Sequence, residues 1–264
     1  MSGIERIAEA FASSAADGRR AALMPYMMGG FPDLETSRSI GLAYAEAGAD
    51  LVELGVPFSD PLADGPVIHA AATAALREGA SLESVLDVAR SISDVVPVVV
   101  MCYANLIFAR GVERFADALL AAGASGLIVP DLPLEEAPEM MAACDERGLA
   151  LVPLVAPTTP PDRLERIGCL ARGFLYTVSL TGTTGERAAL DGDLAAVIGR
   201  ARANTEVPVA VGFGIATPEQ AAAAAEAGAQ GVIVGSRLVR AAAESGSPVN
   251  EVREIVRALA AALV

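Results

Sequence analysis

Three times along this chain a glycine flanked by alanines ends a helical stretch, and an apolar run follows at once. Glu46-Ala47-Gly48-Ala49 leads into 50–56, Ala121-Ala122-Gly123-Ala124 into 125–129, and Glu226-Ala227-Gly228-Ala229 into 231–234. A glycine just past a helix supplies the left-handed residue that stops it. The repeated unit is therefore helix, tight turn, strand. Eight such β runs are expected, near 23–28, 50–56, 96–103, 126–129, 149–155, 173–179, 207–211 and 231–234. Most are unbroken Val/Ile/Leu runs, the pattern of strands covered on both faces.

Helical stretches at 81–92, 113–122, 133–147 and 218–227 separate the strands, and 248–263 closes the chain. Eightfold βα alternation predicts a (β/α)8 TIM barrel, with 264 residues in one domain. The segment 2–16 becomes an extra N-terminal helix across the barrel bottom. A doubly wound open sheet is the alternative. Eight even units without Gly-x-Gly-x-x-Gly after the first strand favour closure.

In a barrel, chemistry gathers at the C-terminal strand ends, and the unusual residues fall there. Glu53 sits inside an apolar strand, where a charge is costly unless it is used. The loop behind it is stiffened by Pro57, Pro61 and Pro66 and carries Asp60 and Asp64. Glu53 and Asp64 thus give two carboxyl groups at one strand end, fit for proton transfer at both ends of a substrate. A structural carboxylate at Glu53 and turn-forming aspartates are the plainer readings. Gly212, Gly214 and the pair Gly235-Ser236 suit a phosphate site, because glycine permits close backbone approach and a short helix opens at Ser236. The hydroxyl-rich stretch from Thr181 to Gly185 could close over a substrate or be an ordinary surface loop. His69 reads as a solvated or capping residue. Met24, Met27 and Met28 read as core filler.

Composition narrows the function. The net charge of −14 argues against nucleic acid, which needs a basic face. No apolar run reaches the roughly 20 residues that span a bilayer, and residues 2–11 read as a helix start, not a signal peptide. One His excludes a His-rich metal site, and three cysteines without ligand-like spacing argue against a Cys/His one. Reduced thiols suggest a cytoplasmic protein.

The segment 53–66, with Tyr103-Ala104-Asn105, Asp131-Leu132-Pro133, Gly212-Phe213-Gly214-Ile215 and Gly235-Ser236, resembles the tryptophan synthase α chain family across essentially the whole chain. The resemblance implies a carbon–carbon lyase, splitting indole-3-glycerol phosphate into indole and glyceraldehyde 3-phosphate by retro-aldol cleavage. It implies Glu53 as the proton-transfer group, Asp64 as the partner of the indole N–H, and Tyr176 beside the reacting centre. It places Tyr26, Tyr103, Thr184, Gly185, Phe213, Gly214, Gly235 and Ser236 around the substrate and its phosphate. No cofactor is implied on this chain. A β chain carrying pyridoxal phosphate is the implied partner, in an α-β-β-α tetramer, with Asp60, Pro61 and Asn105 near that interface. A free-standing lyase, or a mainly regulatory subunit that activates the β chain, are the alternatives. Tyr26 stands where the enterobacterial pattern has Phe, Pro130 where a small residue is common, and Leu180 where Arg is usual.

Overall fold

The computed structural model describes residues 1–178, 194–212 and 214–264. Its strands are β1 Ala22–Met28, β2 Val52–Gly55, β3 Val98–Met101, β4 Gly126–Ile128, β5 Ala150–Val152, β6 Leu154–Val155, β7 Leu175–Val178, β8 Val209–Gly212 and β9 Gly231–Val234. All join one sheet in the order β5-β4-β3-β2-β1-β9-β8-β7-β6, and every pairing is parallel.

The two ends of that sheet, β5 and β6, are consecutive in the chain and separated by Pro153 alone. Proline has no N–H to give a ladder, so the run expected at 149–155 is cut there. Its first half pairs with β4, its second half with β7, and the Pro153 carbonyl accepts the Tyr176 N–H at 3.0 Å. The ninth strand is therefore half of the expected fifth, and the sheet closes on itself as a TIM barrel.

The helices among the described residues are α1 Gly3–Ala16, α2 Leu34–Glu46, α3 Pro66–Arg77, α4 Leu82–Ile92, α5 Ala104–Phe108, α6 Val112–Ala121, α7 Pro138–Glu146, α8 Pro161–Leu170, α9 Leu194–Arg202, α10 Pro218–Glu226, α11 Ser236–Glu244 and α12 Pro248–Ala262. The helix expected over 133–147 instead begins as a 3-10 turn, Leu134–Glu136, and restarts at Pro138. Proline suits the first position of a helix and not its interior. The three recurrent glycines behave as their pattern predicts. Gly48, Gly123 and Gly228 have φ of 100°, 72° and 100°. The next residue bonds back to the last helical turn each time: Ala49 to Tyr44, Ala124 to Leu119, Ala229 to Ala224.

Two apolar layers result. One lies between sheet and helices and includes Leu23, Leu54, Val100, Leu127, Val211 and Val232. The other fills the barrel with Met24, Leu51, Val99, Ile128, Val152, Phe174, Ala210 and Ile233. Helix α1 closes the N-terminal end. Its Ser2 and Glu5 form a capping box, its Ile7 and Phe11 enter the inner layer, and Arg6 bonds the carbonyls of Ser93 and Gly123. Polar chemistry is left to the opposite end, where the strands terminate.

Candidate active site

Glu53 occupies the middle of β2 and points into the barrel, in register with Tyr26 of β1 and Val99 of β3. It is 2% exposed, and its Oε2 has no hydrogen-bond partner among the described residues. Burial, reinforced by the negative charge of Asp64, pushes its pKa up to about 8. At neutral pH Glu53 is therefore mostly protonated. A buried carboxyl group with a proton and an unpartnered oxygen can act as a proton donor.

Asp64 comes from the irregular loop between β2 and α3. Burial raises its pKa, while the hydroxyl of Tyr103 and the charge of His69 pull it down. Both carboxyl groups are thus pushed the same way, but only Asp64 has hydrogen-bonding and cationic neighbours to hold its ionised form. Two carboxyl groups in different surroundings can keep opposite protonation states. His69 lies exposed in the first turn of α3. The helix has no side-chain cap, and His69 contributes charge near Asp64. Tyr103 also ties down the loop: its Oη accepts the Ala63 N–H at 3.1 Å, and its ring stacks on Phe58 at 5.3 Å.

Two more tyrosines stand near Glu53, each laid across a glycine. The Tyr26 hydroxyl lies 2.1 Å from where a Cβ on Gly55 would stand, and the root of its side chain lies 3.6 Å from a Cβ built on Gly235. Tyr26 therefore spans from the end of β9 to the end of β2. Across the barrel, Tyr176 of β7 covers Gly212 of β8 in the same way. Phe11, Phe174 and Tyr176 form a ladder of rings, 6.0 and 6.3 Å apart, from the α1 plug to the mouth. Burial raises the pKa of both Tyr26 and Tyr176, and nearby carboxylate charge raises it further: Asp64 then Glu53 for Tyr26, Glu53 for Tyr176. Both remain phenols. The roles of Gly55 and Gly212 as tyrosine seats did not emerge from the sequence, where Gly212 read as a phosphate contact.

One strand beyond β1 from the Asp64 loop, β9 ends at Val234, Gly235 follows, and α11 opens at Ser236, which is 8% exposed. Gly214 takes φ of 71° just past β8. The two loops follow neighbouring strands, β8 and β9. Leu180, Thr184, Gly185 and Phe213 lie outside the described residues.

Asp60 and Asn105 are exposed and Pro61 is partly so. Beside them Leu62 is 80% exposed and Phe108, in α5, is 50% exposed. Asp131 caps this short helix by accepting the Ala104 N–H at 2.9 Å. Exposed large apolar residues are where another protein can cover a surface; the sequence reading did not single out Leu62 or Phe108. Among the described residues no group of three or more His, Cys, Asp or Glu is placed to hold a metal ion, and no helix is long and apolar enough to cross a membrane.

Residues 11–263 match the family model described as tryptophan synthase alpha chain. Curated relatives of that name include one from Synechococcus elongatus, 48% identical over 91% of this chain and 91% of its own length. Another, from Methanosarcina mazei, is 48% identical over 88% and 85%. Among solved structures, a chain of Mycobacterium tuberculosis tryptophan synthase superimposes with a TM-score of 0.91 at 40% identity, covering 98% of each chain. A chain from the Pyrococcus furiosus tryptophan synthase a2b2 complex gives 0.85 at 36% identity, covering 90% of this chain and 97% of that one.

Proposed function

The chain belongs to the tryptophan synthase alpha chain family, and we propose that the Glu53–Asp64 pair at its barrel mouth performs the family's retro-aldol cleavage. The reaction splits indole-3-glycerol phosphate into indole and glyceraldehyde 3-phosphate. The observation that carries the assignment is the Glu53 carboxyl group: buried, unpartnered on one oxygen, and protonated at neutral pH.

The bond to be broken joins an indole ring carbon to the glycerol chain. It breaks only when the ring can accept the bonding electrons. Glu53 gives its proton to that ring carbon, and the ring becomes an indolenine cation. Asp64, as a carboxylate, accepts a hydrogen bond from the ring N–H and stabilises the positive charge. Glu53, now ionised, takes the proton from the adjacent glycerol hydroxyl. The C–C bond electrons return to the ring, the hydroxyl carbon becomes an aldehyde, and Glu53 ends as it began. No cofactor on this chain enters the balance. Tyr176 and Tyr26 bound the ring. Gly214, Gly235 and Ser236, together with Thr184, Gly185 and Phe213, hold the phosphate, which anchors the substrate away from the bond that breaks.

The reading includes a partner. The exposed group of Asp60, Pro61, Leu62, Asn105 and Phe108 suits docking of a tryptophan synthase β chain in an α-β-β-α assembly, with pyridoxal phosphate on that β chain. It also includes one barrel domain over 1–264 and a cytoplasmic location, for which the free thiols of Cys102, Cys144 and Cys169 are the support.

Indole release by the purified chain, alone and with a β chain added, tests the proposal. Slow release alone with a large rise on adding the partner is the expected result. Fast release without a partner makes the chain a free-standing lyase. Activation of the β chain without any indole release makes it a regulatory subunit.

A further inference from the structure

Tyr103 stands at the junction of β3 and α5, and the structure fixes it from both sides. The preceding residue, Cys102, bonds through its N–H to Ile128 of β4 at 3.0 Å. The following one, Ala104, bonds to Asp131 at 2.9 Å. From this anchored point the side chain, 3% exposed, reaches away from its own strand to the Asp64 loop. Its ring lies on Phe58, near the start of that loop, with planes 29° apart. Its oxygen accepts the Ala63 N–H near the end. A phenol has one proton to give. With the oxygen already accepting from Ala63, that proton is left for Asp64, the next residue of the loop, whose ionised form the hydroxyl favours.

The titratable groups bearing on Asp64 come from three further elements: Glu53 of β2, Tyr26 of β1 and His69 of α3. Glu53 and Tyr26 bring no positive charge. His69 is exposed, where water weakens its pull. Tyr103 heads the groups that favour the Asp64 carboxylate, ahead of His69. Burial, then the neighbouring Asp64 charge, keeps the Tyr103 phenol itself from ionising, so it remains a donor.

We propose that Tyr103 is a positioning residue, acting on the cleavage only through Asp64, whose carboxylate its hydroxyl orients, and not as the substrate contact expected from the sequence. The proposal rests on the Asp64 role given above. A wall-mounted donor on a carboxylate from an irregular loop turns a mobile type of ligand into a fixed one, which is how a supporting shell preorganises a site.

Tyr103→Phe keeps the ring on Phe58 and removes only the hydroxyl. In the full chain assayed with a β chain added, kcat falls about 10-fold or more, as for loss of a hydrogen bond to a charged group, while KM changes little. The acidic limb of the kcat/KM profile moves to higher pH, because Asp64 without its donor needs a higher pH to ionise. In an Asp64→Asn background the same change costs almost nothing further, since the two act as one unit. An equal loss in both backgrounds, or a loss confined to KM, overturns the proposal in favour of direct substrate contact. Lowered thermal stability with an unmoved pH profile overturns it in favour of a purely structural role. A full-rate Asp64→Asn enzyme overturns the Asp64 assignment, and the proposal with it.

Discussion

The hydroxyl of Tyr176 lies 2.6 Å from the point where a Cβ on Gly212 would stand. The approach couples two neighbouring strands, since Tyr176 leaves β7 and crosses the end of β8. Gly212→Ala is therefore expected to push the ring out of place, because real Cβ contacts do not come so close. The cost is about 1–3 kcal/mol of stability, typical of overpacking, with turnover reduced alongside. Adding Tyr176→Phe removes the closest atom and returns part of the stability. Urea unfolding of the three variants measures this. An unchanged midpoint in Gly212→Ala would show that the ring is not held there.

Glu53→Gln is expected to abolish indole release while the barrel stays folded. Its stability carries a second signature. An acid whose pKa rises from 4.5 to about 8 on folding costs nothing while both states are protonated. The cost grows as the unfolded chain ionises above pH 4.5 and is complete above pH 8. Glutamine carries no such cost. The variant should match the parent at pH 4 and exceed it at pH 9 by on the order of a few kcal/mol. Denaturant unfolding at the two pH values decides, and equal stability at both would mean that Glu53 is not held protonated in the fold.

Asp64→Asn should lower turnover on the order of 10²-fold, the usual effect of losing a positioned charge from a developing cation. Asparagine can still accept from the indole N–H, so binding should suffer less than the chemical step. Single-turnover rates at saturating substrate separate the two. A drop in affinity with an undiminished chemical step would count against the charge role.

Phe108→Asp should weaken association with a β chain without changing the melting temperature of the isolated chain, because half of that ring is already exposed. Sedimentation of the mixed subunits reports it. Unaltered association would place the partner surface elsewhere.

The order of elements was readable because its signals are local. Gly48, Gly123 and Gly228 announce helix ends through their immediate neighbours, and each takes the backbone angle its context demands. Glu53 was readable for a related reason: a charge amid Val52 and Leu54 contradicts its own strand. What escaped depends on distance in sequence. That Gly55 seats Tyr26, and Gly212 seats Tyr176, follows from register between strands about 30 residues apart. No local pattern encodes that register. The family resemblance put Tyr103 around the substrate, yet its ring and hydroxyl meet Phe58, Ala63 and Asp64, residues of a different loop. Leu62 and Phe108 were passed over because a sequence does not say which large apolar residues stay outside.

Pro153 has a consequence for how this molecule behaves in a crowd. An ordinary sheet has two rims, each a row of bare amides and carbonyls ready to recruit a stranger's strand. Here both rims belong to one six-residue stretch, 150–155, which leaves one neighbour and takes up the other at the residue that cannot donate. A residue usually regarded as a breaker of sheets thereby seals one, and among the described residues the barrel offers no open flank along which copies could polymerise by strand addition.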